Sequence, residues 1–187
     1  MKLPKNIIYY GKDEPLAENI QIKAGPLNLT YEAGDLRYIK FNEIEIVRRV
    51  YVALRDHNWD TIKSNISNVK INTTIDSFEI TYDVENIQDD INFIWKATIA
   101  GKSNGSISFK MDGEALSTFL RNRIGFCILL PMECSGTKTQ INHVDGTIEQ
   151  SVFPKQIAPQ LIIEGRPSPV EPFSSMRGLE LNLSPEL

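Results

Sequence analysis

Three successive stretches that alternate apolar and polar residues are the strongest constraint this chain places on its fold. Phe78, Ile80, Tyr82 and Val84 alternate with Ser77, Glu79, Thr81 and Asp83. Ile91, Phe93, Trp95, Ala97 and Ile99 continue the pattern, and Ile107, Phe109 and Met111 close it. Successive side chains of a strand point to opposite faces, so each stretch has one apolar and one polar side. The links at 86–90 and 101–105 are too short for crossovers and suit hairpins. The three are therefore expected to pair as an antiparallel meander. Trp95 stands within the apolar series, which points to the core; a sugar-stacking role for its indole is the alternative.

The same period appears upstream. Ile20 and Ile22 alternate before the Gly25-Pro26 turn, followed by Leu27, Leu29 and Tyr31, the Ala33-Gly34-Asp35 turn and the return stretch 36–41. Residues 44–55 admit a short helix by length, but Ile46, Val47, Val50, Tyr51 and Val52 are β-branched or aromatic, and a strand is expected. Alternation there puts Arg49, Tyr51, Ala53 and Arg55 on one face. Residues 62–75 read as strand and turn. Downstream, Thr137–His143 and Thr147–Phe153 flank the turn Val144-Asp145-Gly146. A proline-rich crossing at 154–172 holds a short strand at Leu161–Glu164, and Met176–Leu183 is expected as the last strand. Residues 1–18 read as an arm with a short edge strand near Ile7–Tyr10, and 19–187 as one β-sandwich domain. Many short strands and no convincing helix give an all-β class, a large antiparallel sandwich with a barrel as runner-up.

Composition narrows the function. The chain has 187 residues, 41% of them hydrophobic and 24% charged, as an ordinary globular protein does. The formal net charge of −4 offers no reason to expect nucleic acid, since phosphate binding needs a basic face. No apolar run has the length of a signal peptide core or a membrane span, so no membrane partner and a cytoplasmic location are expected. Cys127 and Cys134 are expected as free thiols. Only His57 and His143 are present, with no CxxC or HExxH, so neither a metal nor a cofactor is expected.

The chemistry-bearing text lies between Met111 and Asp145. Arg121-Asn122-Arg123 runs into the apolar stretch Ile124–Leu130, ended by Pro131. This is expected to be a buried strand with two guanidiniums at its mouth, where they need an anionic or hydrogen-bonding partner or a solvated face. Arg121, Asn122, Arg123 and Glu133 form a candidate set for a polyhydroxylated or carboxylated ligand. His143 and Asp145 flank a hairpin tip. They allow a His–carboxylate pair for acid–base work, Asp145 orienting His143; equally, Asp145 serves the turn and His143 is an exposed flank. His57, in the polar loop 56–60, has no visible partner. The rims carrying residues 123 and 143 are expected to meet.

The run MDGEALSTFLRNRIGFCILLP, then HVDG and FPKQIAP, together with the earlier LRYIKFNEIEIVRRVYVALRDHNW, resembles the N-terminal portion of the D-apionate lactonase family of bacterial sugar-acid catabolism. The resemblance runs from about Gly25 to Leu181. It implies a sandwich similar to the supersandwich of galactose-mutarotase-like domains. It also implies that the chain is the N-terminal domain of a longer hydrolase that opens a sugar-acid lactone. The partners implied are a small sugar acid or lactone and a C-terminal catalytic domain. A free-standing sugar-binding or mutarotase-like epimerase is the alternative. Leu130 stands where the family run reads His before Pro131, which removes one candidate proton-transfer group, and the link near Leu161–Glu171 is expanded.

Overall fold

Alternation becomes two antiparallel sheets. The computed structural model describes residues 3–11, 13–143, 145–155, 162–163 and 166–167. One sheet is the expected meander, in the order β5 (Asn65–Thr73), β6 (Phe78–Gln88), β7 (Ile91–Gly101) and β8 (Ile107–Ala115). Its central pair keeps register without a shift from Phe78↔Gly101 to Gln88↔Ile91. The other sheet has the order β1 (Asn19–Ala24), β2 (Leu27–Glu32), β3 (Asp35–Phe41), β4 (Ile44–Asp56) and β9 (Arg121–Leu129). Residues 44–56 are thus a strand throughout.

The chain divides into two compact units, Met1–Pro131 and Met132–Leu187. Both sheets lie in the first. Their apolar faces share one core, with Leu29, Tyr31, Leu36 and Leu54 from one sheet and Ile80, Tyr82, Trp95 and Ile99 from the other. This is the all-β sandwich that the alternation predicts. Trp95 is 6% exposed and donates its indole N–H to Asn86 Oδ1 at 3.0 Å, so it belongs to the core. Tyr82 packs edge-on against Trp95 and donates its hydroxyl to the Gly34 carbonyl at 2.7 Å, bonding one sheet to the β2–β3 turn of the other. Burial pushes the Tyr82 phenol well above its ordinary range. Gly101 faces Phe78 across the β6–β7 ladder so closely that an added Cβ would overlap the ring.

The second unit contains a 3₁₀ turn at Met132–Cys134, the hairpin β10 (Lys138–Asn142) and β11 (Ile148–Val152), and the two-residue pair β12 (Ile162–Ile163) and β13 (Arg166–Pro167). Most of the proline-rich crossing, and the strand expected at Met176–Leu183, lie outside the described residues.

Two expectations are corrected. Residues Lys5–Tyr10 form a helix, α1, where an edge strand near Ile7–Tyr10 is expected. The apolar and aromatic residues there are consecutive, not alternating. Gly11 closes the helix in a left-handed conformation at φ 70°, its N–H donating to the Ile7 carbonyl at 2.9 Å. The second correction concerns Ile124–Leu130. It is not buried: β9 ends its sheet, no described strand pairs with its far edge, and Phe126 and Leu129 are 42% and 43% exposed. A continuous apolar run does not distinguish a central strand from an edge strand that lays some residues on the core. Ile124 and Leu130 do so, and Phe126 packs edge-on against Phe109 of β8 at 5.0 Å.

Tyr82→Phe removes the bond to Gly34 and is expected to lower the unfolding free energy by about 1–2 kcal/mol in urea denaturation, with no change of m-value.

Candidate functional site

The three polar residues expected at a strand mouth open β9 on the exposed surface. Register places Arg123 directly across from Arg55 of β4, and Arg121 across from Asp56. Like charges held opposite each other across a ladder repel. Both guanidiniums lie near one indole: Arg55 Cζ is 6.0 Å and Arg123 Cζ 5.7 Å from the centre of the Trp59 ring. Such contacts offset part of the repulsion through the ring's negative face. Among the described residues, no ion pair joins Arg55, Arg121 or Arg123 to a carboxylate.

The loop that presents Trp59 is built by a buried acid. Asp56 is 8% exposed, and its Oδ1 accepts the backbone N–H groups of Asn58 and Asp60 at 2.8 and 2.9 Å. The Asp56 and Trp59 amides complete the turn, donating to the carbonyls of Asp60 and Asp56. Trp59 itself adopts φ 74°, unusual for a bulky residue. His57 stays exposed in the same loop. Arg55 and Trp59 are site residues that the sequence does not mark. The available signal is the aspartate opening a polar loop that carries a lone tryptophan, which suits an Asx-type turn holding the indole.

Glu133, His143 and Asp145 belong to the second unit. Glu133 is exposed in the 3₁₀ turn next to Cys134, whose thiol is pushed up by burial and then by the Glu133 charge. His143 Nε2 lies 3.2 Å from Glu149 Oε2, so its hydrogen-bonded carboxylate is Glu149. Asp145 Oδ1 instead accepts the side-chain hydroxyl and backbone N–H of Thr147, at 2.7 and 2.9 Å. Those bonds hold the Asp145 carboxyl below its ordinary range, while the His143 charge contributes less. Asp145 thus serves the turn, and a His–carboxylate pair exists with a different acid.

A second charged cluster lies where β2 turns into β3. Arg49 brings Nε to 2.7 Å and an Nη to 2.6 Å from the same oxygen of Asp35, and its guanidinium stacks 4.0 Å from the Tyr51 ring centre. Arg37 reaches Glu32 at 3.4 Å and Asp35 at 3.6 Å. Burial pushes the Asp35 carboxyl up, against the pull of both guanidiniums. Among the described residues no three His, Cys, Asp or Glu side chains gather to hold a metal ion, and no helix is long and apolar enough to cross a membrane.

The fold defines a two-sheet antiparallel sandwich that displays clustered guanidiniums. The family model described as "D-apionate lactonase, N-terminal domain" matches residues 7–187, and the chain belongs to that family. A D-apionate lactonase of Brucella anthropi is 30% identical over 174 residues, which are 92% of this chain and 27% of that protein. The chain therefore spans about a quarter of the length of the curated relative it matches. No solved structure matches it.

The Asp145 geometry sets a pH dependence. Its pKa in the folded hairpin is lowered, so the turn's stabilisation is fully present above the ordinary value of 3.8 and is lost as pH falls through the lower folded value. Following the Thr147 amide by NMR should give a titration midpoint below 3.8, and Asp145→Asn should abolish that titration.

Proposed function

We propose that this chain is the substrate-side sandwich of a longer hydrolase that opens a sugar-acid lactone, as the name of the Brucella anthropi relative suggests for the lactone of D-apionate. The observation that carries the reading is the family match over 7–187 in a chain equal to only 27% of that relative. The bond-opening chemistry then belongs to the remaining part of the longer protein, a C-terminal catalytic partner. In that chemistry water adds to the lactone carbonyl, the ring C–O bond breaks, the leaving oxygen takes a proton, and a carboxylate appears. Guanidiniums serve such a reaction by holding the carboxylate product or the oxyanion that precedes it.

Arg121, Asn122 and Arg123 at the start of β9, with Arg55 and Trp59, supply that recognition. Two arginines opposite each other with no carboxylate partner among the described residues are a high-energy arrangement that an anion relieves. His143, backed by Glu149 and next to the turn that Asp145 holds, is the proton-transfer candidate if the chain itself takes part in chemistry. Two free thiols accord with a reducing, cytoplasmic setting.

Hydrolysis of the D-apionate lactone, followed by acid release in a pH-stat, tests the reading. The isolated chain should not exceed the buffer rate. A chimera with this chain in place of the matching quarter of the Brucella anthropi enzyme should hydrolyse the lactone. In it, Arg123→Ala should lower kcat/KM by about tenfold or more, the loss of one charge-assisted hydrogen bond. Turnover by the isolated chain that His143→Ala abolishes would overturn the accessory role.

A further inference from the structure

The ladder between β3 and β4 stops before β4 does. Its pairs run from Phe41↔Ile44 to Leu36↔Val50. The edge of β4 is taken up again only at Leu54, whose carbonyl accepts the Ile62 N–H at 3.0 Å, next to the isolated bridge Arg55↔Thr61. Backbone groups of alternate residues in a strand point to the same edge, so the N–H and C=O of Val52 face the same side as those of Leu54. Val52 pairs with Phe126 of β9 across the other edge, but among the described residues no ladder partner and no backbone hydrogen bond from the β2–β3 turn meets this one. The five-stranded sheet therefore has a notch, bounded by the turn at 33–35 on one side and residues 61–64 on the other.

This notch is a concave space of about 330 Å³. Tyr82 and Trp95 of the opposite sheet line it, and the charged cluster of Glu32, Asp35, Arg37 and Arg49 forms its wall. Gly34 edges it at φ 90°, where an added Cβ would meet Ile66 Cδ1 at 2.8 Å. One donor in the wall is unspent: Arg37 Nε is buried and has no hydrogen-bond partner. A buried donor without a partner is costly and is normally met by protein, water or ligand.

We infer that the notch binds one polyhydroxylated molecule of monosaccharide size, a sugar or a sugar acid, through its hydroxyls. Each hydroxyl both donates and accepts, and the wall offers carboxylates beside guanidiniums, so neighbouring hydroxyls can satisfy both. The Val52 N–H and C=O add one donor and one acceptor at the floor of the gap. The volume is at the small end of ligand pockets, which fits a single sugar unit over an oligosaccharide. The site is separate from the arginines of β9, and the inference does not depend on lactone hydrolysis.

The full 187-residue chain, labelled for NMR, would be titrated with D-glucose, with D-gluconate and with sodium sulfate. The amides of Val52 and Gly34 should shift saturably with a dissociation constant of about 1–10 mM, the range for so small a ligand. Arg37→Gln should weaken binding about fivefold or more, the worth of one hydrogen bond. Thr61→Trp, an exposed position at the rim, should block the notch and abolish the shifts, with little change in Tm. Gluconate binding at least about fivefold tighter than glucose assigns the site to sugar acids through their carboxylate, and equal binding assigns it to hydroxyls alone. No saturable shift at Val52 and Gly34 with either sugar overturns the inference. So does an equal response to sulfate, or shifts that persist in Thr61→Trp. Failure of the lactonase chimera would leave these titrations unaffected.

Discussion

The architecture depends on burying the alternating faces of β6 and β7 against the five-stranded sheet. Ile80, Ala97 and Ile99 have no exposed surface, and Tyr82 is nearly as buried. At about 25 cal/mol per Å² of apolar surface, this face supplies the main drive for stacking the sheets. It also brings polar atoms into a dry interior. The structure satisfies them in pairs: the Tyr82 hydroxyl with the Gly34 carbonyl, and the Trp95 indole with Asn86, whose amide donates in turn to the Lys63 carbonyl and the Ser64 hydroxyl. These bonds tie the β2–β3 turn and the 61–64 segment to the core. The same bonds therefore hold apart the two margins of the notch in the five-stranded sheet.

Charge is handled in two different ways on this sandwich. Near the β2–β3 turn, Asp35 and Glu32 neutralise Arg37 and Arg49, and burial of Asp35 is tolerated because guanidinium N–H groups surround its oxygen. At the start of β9 the arginines have aromatic company instead, with Trp59 beneath both Arg55 and Arg123. An indole eases the crowding of two cations without cancelling their charge. A paired cluster suits hydroxyl recognition, while an unpaired one suits an anion.

Legibility differed between the fold and the site. The meander was readable because its apolar residues recur at a strict period of two, and the observed register keeps that phase across β6, β7 and β8. Residues Ile7–Tyr10 are helical against expectation because Ile-Ile-Tyr-Tyr has strand-forming types without the alternation, and a glycine stop decides the local structure. At the site, Arg123 was readable as a charge beside an apolar run. Arg55 and Trp59 were not, because their meeting with Arg123 depends on β9 pairing with β4 across more than sixty residues of chain.

The residues alone determined the all-β class, the antiparallel meander and the place of Trp95 in the core, because each follows from local periodicity. Tertiary structure alone decided that Ile124–Leu130 lies on a sheet edge, that Glu149 and not Asp145 is the carboxylate bonded to His143, and that β4 outruns β3 to leave the β3-side edge at Val52 without a strand partner. Those outcomes depend on which distant strands meet and where their ladders stop. Strand pairing is set by the joint packing of many faces, and no single stretch of sequence encodes it.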